Sequence, residues 1–180
     1  MIYPNEHIQK ELISICKSGK LQSLNIYNVN EYYFELNGKT QYIINGGIEL
    51  HFPKGIICIG WSSDEDAFVF HIGKFETVYK RDNFVLLEQE NGNHPQSLVG
   101  LDVQEVAFRT MDFDYVYDYT MQTKSEKLYV EMILKFGNNL LLQISLINYE
   151  LQVDKAPANY SYDVSTELML SVNNLIEIRT

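Results

Sequence analysis

The sequence predicts a mainly β protein of the α+β class, with one N-terminal amphipathic helix followed by antiparallel hairpins that form a sandwich or a partly open barrel. Three observations predict it. Only one segment has helical periodicity, the later apolar residues recur at every second position, and turn pairs such as Asn37-Gly38 follow at short intervals. Parallel strands need crossover connections of about a dozen residues or more, so these intervals disfavour a parallel α/β fold.

The one predicted helix covers roughly residues 6–18. Its apolar residues recur at i, i+4, i+7 and i+8, which places them on one helical face, and Asn5 and Gly19 are suited to begin and end it. These apolar residues are Ile8, Leu12, Ile15 and Cys16. We expect this face to pack against the strands.

From Leu21 onward the apolar period is two. In residues 32–36 and 48–52, apolar side chains alternate with polar ones, as in strands that have one face against a core. Two stretches, 48–59 and 132–143, share a pattern of apolar strand, turn and apolar strand. This likeness is either an internal duplication or the ordinary resemblance between two hairpins, and the sequence leaves both open.

Two-residue turns at Lys54-Gly55 and Asn138-Asn139 predict the register of these hairpins. The predicted pairs of the first are Phe52 with Ile57, Leu50 with Ile59, and Ile48 with Trp61. Those of the second are Phe136 with Leu141, Leu134 with Gln143, and Met132 with Ser145. On this register the returning strand of the second hairpin loses apolar content on one face but is apolar on the other. We therefore expect 140–147 to be a central strand and both hairpins to be scaffold.

Toward the C-terminus, strands at 168–172 and 175–178 are predicted to form a third hairpin around Asn173-Asn174. A short helix that begins at Ser165 is the alternative. Residues 89–97 and 154–165 are predicted to be surface loops, and Gly46-Gly47 and Asn91-Gly92 are further turn signals. With 180 residues and 46% hydrophobic content, we expect 1–180 to form a single globular domain.

Charge and composition indicate which classes of partner and which compartment are favoured. The formal net charge is −10, with 14 Lys and Arg against 24 Asp and Glu, which disfavours nucleic acid and favours a cationic protein partner. The N-terminus lacks the basic and apolar regions of a secretory signal, and no apolar run reaches the roughly 20 residues that cross a bilayer. We expect a cytoplasmic protein without a membrane partner. Cys16 and Cys58 are predicted to be free buried thiols.

The candidate partner-binding segment is 111–119. If it is extended, one face carries its aromatic residues and the other its acids, so tyrosines would supply contact area and carboxylates would orient a basic partner. An ordinary half-buried strand with its acids in water is the alternative. The candidate residues are Asp112, Asp114, Tyr115, Tyr117 and Asp118, with Asp64, Glu65 and Asp66 as a second acidic group.

The strand pattern of this region also changes phase twice. Apolar side chains occupy odd positions at Leu101 and Val103, even positions at Val106 and Phe108, and odd positions again from Met111. Two phase changes predict two β-bulges or bends, which are common beside functional surfaces.

No motif predicts catalysis, a metal or a cofactor. The four histidines form none of the metal-binding helix patterns, and Asp112-x-Asp114 lacks the glycine and terminal glutamate of a calcium loop. A triad of His51 or His71 with Ser62 or Ser63 and Asp64 has no nucleophile elbow to support it. We expect no catalytic residue, no metal ligand and no cofactor.

In form, several segments resemble the small acidic cytoplasmic immunity proteins that bacteria carry beside polymorphic or contact-dependent toxins. The resemblance lies in 47–52, 97–103 and 133–139, within residues 45–150. It implies a mechanism in which an acidic surface occludes a basic toxin domain. It implies no site residue, because such proteins share no functional motif.

Three other functions stay open at this point. Abundant aromatics, with 13 Tyr and 9 Phe, favour a sandwich or barrel that holds a small apolar or aromatic ligand. An enzyme of unknown class and a structural subunit are the others. The leading hypothesis is a non-enzymatic binding protein.

Overall fold

The structure is a computed structural model that describes residues 4–29, 34–36, 40–62, 67–78, 84–86, 94–116, 123–150 and 157–180. Two α-helices, two 3₁₀ turns and twelve strands are found within these ranges. The helices are α1 (Glu6–Cys16) and α2 (Phe75–Val78), and the 3₁₀ turns are His94–Leu98 and Gly137–Asn139. The strands are β1 (Ser23–Val29), β2 (Phe34–Leu36), β3 (Gln41–Ile44), β4 (Gly47–Phe52), β5 (Gly55–Ser62), β6 (Ala67–Ile72), β7 (Phe84–Leu86), β8 (Val103–Val116), β9 (Thr123–Phe136), β10 (Leu141–Glu150), β11 (Ala158–Tyr162) and β12 (Glu167–Val172).

The strands form two sheets that pack as a sandwich, which confirms the predicted fold class. The five-stranded sheet has the order β6-β5-β4-β1-β7, and the seven-stranded sheet has the order β2-β3-β12-β10-β9-β8, with β11 also beside β10. Every pairing between these strands is antiparallel. None of the helices in the described residues is long and apolar enough to span a membrane.

Helix α1 begins and ends close to the predicted limits. The Asn5 side-chain oxygen accepts a hydrogen bond from the backbone N–H of Ile8 at 2.9 Å, as an N-cap should. The helix ends at Cys16, two residues before the predicted end. Its buried side chains are Leu12, Ile15 and Cys16, and they join one core cluster that also holds residues of both sheets.

The Gly46-Gly47 pair does not close a hairpin, contrary to its reading as a turn between successive paired strands. Strand β3 before it belongs to the seven-stranded sheet, whereas β4 after it belongs to the five-stranded sheet. The chain passes tightly between neighbours here, since a Cβ on Gly46 would lie 2.2 Å from the carbonyl oxygen of Tyr27. Glycine is therefore required by the close approach of two backbones.

The first predicted register is wrong by two residues. Phe52 lies opposite Gly55, Leu50 opposite Ile57 and Ile48 opposite Ile59. The turn is therefore Pro53-Lys54, because proline, with its fixed φ, suits the first central position of a turn. A shift of two positions keeps the same side chains on the same face, so this hairpin stays an apolar scaffold.

The second predicted register is wrong by one residue, and this error has larger consequences. The turn has three residues, Gly137–Asn139, closed by the N–H of Phe136 donating to the carbonyl of Leu140 at 2.8 Å. Leu134 therefore pairs with Leu142, and Met132 with Ile144, which gives this face an unbroken apolar row. The prediction that this face loses apolar side chains along the returning strand is therefore wrong, because a one-residue change of register exchanges the two faces.

Strand β10 is central, as predicted. It lies between β9 and β12, and its residues 142–147 are all buried. The polar side chains of Gln143 and Ser145 lie on the face opposite to the apolar row, and they share that face with Glu131 of β9.

The third predicted hairpin is half correct. Strand β12 exists, and Ser165 does not begin a helix, but residues 175–178 do not form a return strand. Strand β12 already has β3 on one side and β10 on the other, so neither edge is open to pairing. The chain instead crosses the outer face of the sheet until Arg179 bridges Ser161.

Neither predicted loop is wholly irregular. Residues 158–162 of the segment 154–165 form β11, which pairs with β10, and His94–Leu98 forms a 3₁₀ turn within the segment 89–97. The turn signals Asn37-Gly38 and Asn91-Gly92 lie outside the described residues.

Candidate functional site

Two acids of the predicted recognition segment, Asp112 and Asp114, lie on β8, the last strand of the seven-stranded sheet among the described residues. Asp112 and Asp114 belong to β8 and are exposed, whereas Met111 and Phe113 pack against the core. The exposure of Asp112 and Asp114 confirms the predicted alternation of packed and exposed side chains over residues 111–114. We call the surface formed by Asp112 and Asp114 the acidic ribbon face.

Two register shifts between β8 and β9 confirm the two predicted bulges or bends. One lies between Val103 and Glu105, and the other between Arg109 and Thr110. Arg109 and Glu105 are exposed before the second shift, and Asp112 and Asp114 after it. The exposed positions of β8 therefore change from odd to even at the second shift, where the unpaired residue is Val130 of β9.

The two aspartates have different neighbours across the ribbon. Asp112 lies opposite Lys127 of β9, whereas Asp114 lies opposite Ser125. Farther along the strand, Lys135 pairs with Glu105 at 2.9 Å. Asp114 is therefore the acid on this face whose directly opposite residue carries no charge.

Of the other candidate residues, the structure describes the position of one. Tyr115 belongs to β8. Tyr117, Asp118, Asp64, Glu65 and Asp66 lie outside the described residues. Of the predicted partner-binding set, Asp112 and Asp114 are the two side chains that the structure brings together.

The structure adds a buried carboxylate that sequence reasoning missed. Glu131 lies in β9 with its side chain 6% exposed. Its Oε1 accepts hydrogen bonds from three donors in neighbouring strands: Gln143 Nε2 at 2.8 Å, Ser145 Oγ at 3.0 Å and the Tyr162 hydroxyl at 3.0 Å. The available signal was one charged residue within the apolar run 128–134, but the predicted register gave Glu131 no polar neighbour.

Arg109 lies next to this carboxylate. Its Nε is 3.7 Å from Glu131 Oε2, and its guanidinium carbon is 5.3 Å from the centre of the Tyr162 ring. Burial, and then the Glu131 charge, raise the pKa of Tyr162, so its hydroxyl stays a donor to Glu131 at neutral pH. Glu131 and Tyr162 together hold the guanidinium in place.

These groups line a cleft of about 650 Å³ between the sheet and the C-terminal segment, which we call the Glu131 cleft. The lining residues are Arg109, Glu131, Ile133, Gln143, Tyr162 and residues 175–180. The Gln143 side chain holds this segment through both amide atoms, accepting from the N–H of Ile176 at 2.8 Å and donating to its carbonyl at 3.0 Å. One wall of the cleft is therefore a segment bound to a side chain rather than a paired strand.

A second buried carboxylate lies on the five-stranded sheet. Glu49 of β4 has its side chain 4% exposed, and its Oε2 accepts from the Tyr27 hydroxyl at 2.9 Å and lies 2.9 Å from His51 Nε2. Its Oε1 accepts from the backbone N–H of Phe75. Glu49 thus anchors the start of α2 to the sheet, where the Phe75 ring stacks on Tyr27 at 4.3 Å.

The Glu49 carboxylate is held in its charged form. Burial is the largest single influence and raises its pKa, but the hydrogen bonds from His51, Phe75, Tyr27 and Asn25 outweigh it and leave the pKa below the ordinary value. This arrangement is structural, because its donors hold the helix and the neighbouring strands.

In the part of the chain that the structure describes, no group of three His, Cys, Asp or Glu side chains is arranged to hold a metal. His51 pairs with Glu49, while Ser63 and Asp64 of the weighed triad lie outside the described residues. Cys16 and Cys58 are buried and form no disulfide, as predicted, and burial raises the pKa of Cys16 to about 12, which suppresses its thiolate.

The chain matches no protein-family model, no curated protein and no solved structure.

Proposed function

We propose that this chain is a non-enzymatic binding protein that recognises a basic protein partner through the acidic ribbon face, as the immunity proteins it resembles occlude a toxin domain. The observation that carries the proposal is the placement of two exposed aspartates on a 14-residue edge strand whose alternate side chains are packed in the core.

Packing gives the acids a fixed position. Met111 and Phe113 contact the core on either side of Asp112, so the backbone between them has little freedom. A partner that binds a surface already in its bound conformation loses less conformational entropy on association. The acidic ribbon face therefore presents its charges ready for contact.

The strand edge offers a second means of recognition. Within the described residues, β9 is the one strand that pairs with β8, and we propose that a strand of the partner pairs with its other edge. Such edge pairing supplies main-chain hydrogen bonds, and the side chains beside it supply specificity. Aspartates beside an open edge favour an added strand rich in Lys or Arg.

Net charge acts at longer range. A protein of charge −10 attracts a basic partner before contact, which raises the association rate, most strongly at low salt. The local acids then set the orientation in which the partner docks.

The test begins with capture of a partner by the full chain from its native host, followed by affinity measurements with the purified partner. Asp114→Lys should weaken binding by about tenfold and reduce its salt dependence. Asp112→Lys should have the smaller effect, because Lys127 already offsets the charge at that position.

Glu11→Lys is the matched control. Glu11 is exposed on α1, so the substitution makes the same change in net charge away from the acidic ribbon face. Equal losses for Asp114→Lys and Glu11→Lys would show that only net charge matters. Undiminished affinity in Asp114→Lys would show that the proposed face is wrong.

A further inference from the structure

The Glu131 cleft has the size and the mixed lining of a small-molecule site. Its volume of about 650 Å³ lies within the usual range of roughly 300–1,000 Å³ for ligand pockets. Such sites combine apolar walls with a few polar groups of fixed orientation. This cleft is separate from the acidic ribbon face, and its occupant does not depend on the proposed function.

Arg109 is the polar group best placed to contact a ligand. One edge of its guanidinium faces Glu131, with Nε 3.7 Å from Oε2, while the side chain as a whole is 49% exposed. Among the described residues, no hydrogen bond to its other donors is found, so within this part of the chain they are open to the cleft. A guanidinium offers a planar fork of donors that matches a carboxylate with two parallel hydrogen bonds.

The groups behind Arg109 keep it in this position. Glu131 cannot turn away, because Gln143, Ser145 and Tyr162 all donate to its Oε1. The Tyr162 ring then supports the guanidinium from its face. A binding group held by such supporting contacts loses little freedom when a ligand arrives.

The walls of the cleft favour an apolar body on the ligand. Ile133 and Ile178 line it from the sheet and from the C-terminal segment, and Leu175 at its margin is 53% exposed. Covering a large aliphatic side chain removes apolar surface from water and so favours an aliphatic group beside it.

The charges of the cleft favour a single negative charge. Arg109 is balanced by Glu131. Arg179 and Glu177 also line the cleft, and both are exposed, so water screens their opposite charges. A doubly charged phosphate would bring more negative charge toward buried Glu131 than a carboxylate would.

We propose that the Glu131 cleft binds a small aliphatic carboxylate. The ligand's carboxylate would accept from the free donors of Arg109, and its hydrocarbon part would cover Ile133, Ile178 and Leu175.

The test uses hexanoate as the probe, with hexanamide as its uncharged match and inorganic phosphate as a second anion. Binding is followed by the NMR shifts of the full chain during titration. Hexanoate should shift the amides of 175–180 and saturate at a lower concentration than either comparison ligand. Equal binding of hexanamide would show that the charge of Arg109 does not bind the ligand. Tighter binding of phosphate would show that the cleft does not select a ligand with a hydrocarbon chain.

Variants connect the response to the cleft. Arg109→Gln should weaken hexanoate binding by about tenfold or more, since a hydrogen-bonded charge is lost. Lys127→Gln removes an equal charge from an exposed position of β9 that does not line the cleft, and should leave binding unchanged. Equal weakening in both variants would overturn the assignment.

A second variant keeps the proposal testable if Arg109→Gln fails to fold. Leu175→Ser alters an exposed side chain and should weaken hexanoate while leaving acetate unaffected, because acetate has no hydrocarbon chain to cover it. Unchanged binding of hexanoate to Leu175→Ser would contradict the placement of the ligand.

Discussion

Tyr129 places a hydroxyl inside the core. Its ring lies 5.5 Å from Phe70 and 5.3 Å from Phe108, measured between ring centres, and its hydroxyl has no hydrogen-bond partner among the described residues. Burial also raises the pKa of this hydroxyl. A buried polar group without a partner costs free energy relative to the unfolded chain, where water satisfies it.

Tyr129→Phe should therefore raise the free energy of unfolding by about 1 kcal/mol, measured by urea denaturation. Tyr162→Phe is the matched control, because it removes a hydroxyl that donates to Glu131, and it should lower that free energy by about 1 kcal/mol. A loss of stability in Tyr129→Phe would mean that its hydroxyl has a partner after all.

Two glutamates, Glu49 buried and Glu167 half-buried, should shape the pH dependence of stability in opposite directions. The pKa of Glu49 is held below its ordinary value of 4.5, so its contribution is present above pH 4.5 and is lost as pH falls through the lower folded-state pKa. Burial raises the pKa of Glu167 to about 7, so stability falls as pH rises from 4.5 through 7. Stability should therefore be greatest near pH 4.5, which lies above the folded-state pKa of Glu49 and below that of Glu167.

Single substitutions of glutamate by glutamine separate the contributions of Glu49 and Glu167 to the pH dependence. Glu49→Gln should be less stable than the wild type at neutral pH by about 2 kcal/mol, and the difference should shrink in acid. Glu167→Gln should match the wild type at pH 4.5 and exceed its stability by at most about 1 kcal/mol at pH 8, because water screens the charge of this half-buried side chain. Urea denaturation across pH measures both, and parallel profiles for all three proteins would contradict these assignments.

At the residue scale, alternation predicted exposure well but not buried polar contacts. The exposure of Asp112 and Asp114 follows from the spacing of Met111 and Phe113. The network around Glu131 joins β9, β10 and β11, and its assembly depends on a turn whose length the sequence did not reveal. A one-residue error there removed Ser145 from the side of Glu131.

At the element scale, the two register shifts between β8 and β9 were more predictable than the turns. The phase of the apolar residues along β8 changes near both shifts, so the pattern from Leu101 to Met111 signals them. A turn sets the register between two strands. Registers that differ by one or two residues can pair equally apolar side chains, so the apolar pattern does not choose between them. The turns at Pro53-Lys54 and Gly137–Asn139 therefore needed the structure.

The junction between β3 and β4 gives a prediction for Gly47. A Cβ there would lie 2.2 Å from Phe75 Cε2 and 2.4 Å from the Ile59 carbonyl oxygen, and this backbone atom has no room to move. Gly47→Ala should therefore lower the free energy of unfolding by about 2–3 kcal/mol in thermal or urea denaturation.

Gly100→Ala is the comparison for that prediction. Gly100 has a φ of +88°, but no heavy atom lies within 4 Å of the position that an alanine methyl would occupy, so only the backbone conformation is penalised. The cost should be about 1 kcal/mol. Equal costs for the two substitutions would show that close packing around Gly47 is not the dominant effect.

At the scale of the whole molecule, composition and period predicted an antiparallel β fold with one N-terminal helix. They did not predict which strands share a sheet. Strands β3 and β4 are separated by two residues yet belong to different sheets, and β12 lies between β3 and β10, which are distant from each other in the chain. Such pairings arise from contacts between distant segments, which local patterns do not contain.

The molecule presents two surfaces with different chemistry. The acidic ribbon face is exposed and lies on a strand edge, which suits a protein partner. The Glu131 cleft is concave and contains a supported arginine, which suits a small molecule. Because different side chains form them, a substitution in one surface should leave the other unaffected.

Hydrogen–deuterium exchange of the complex with the captured partner tests the central claim most directly. The account predicts slower exchange of the β8 backbone amides at 110–116 when the partner binds, with little change at 175–180. Protection confined to α1 or to 175–180, with 110–116 exchanging as in the free protein, would contradict recognition through the acidic ribbon face.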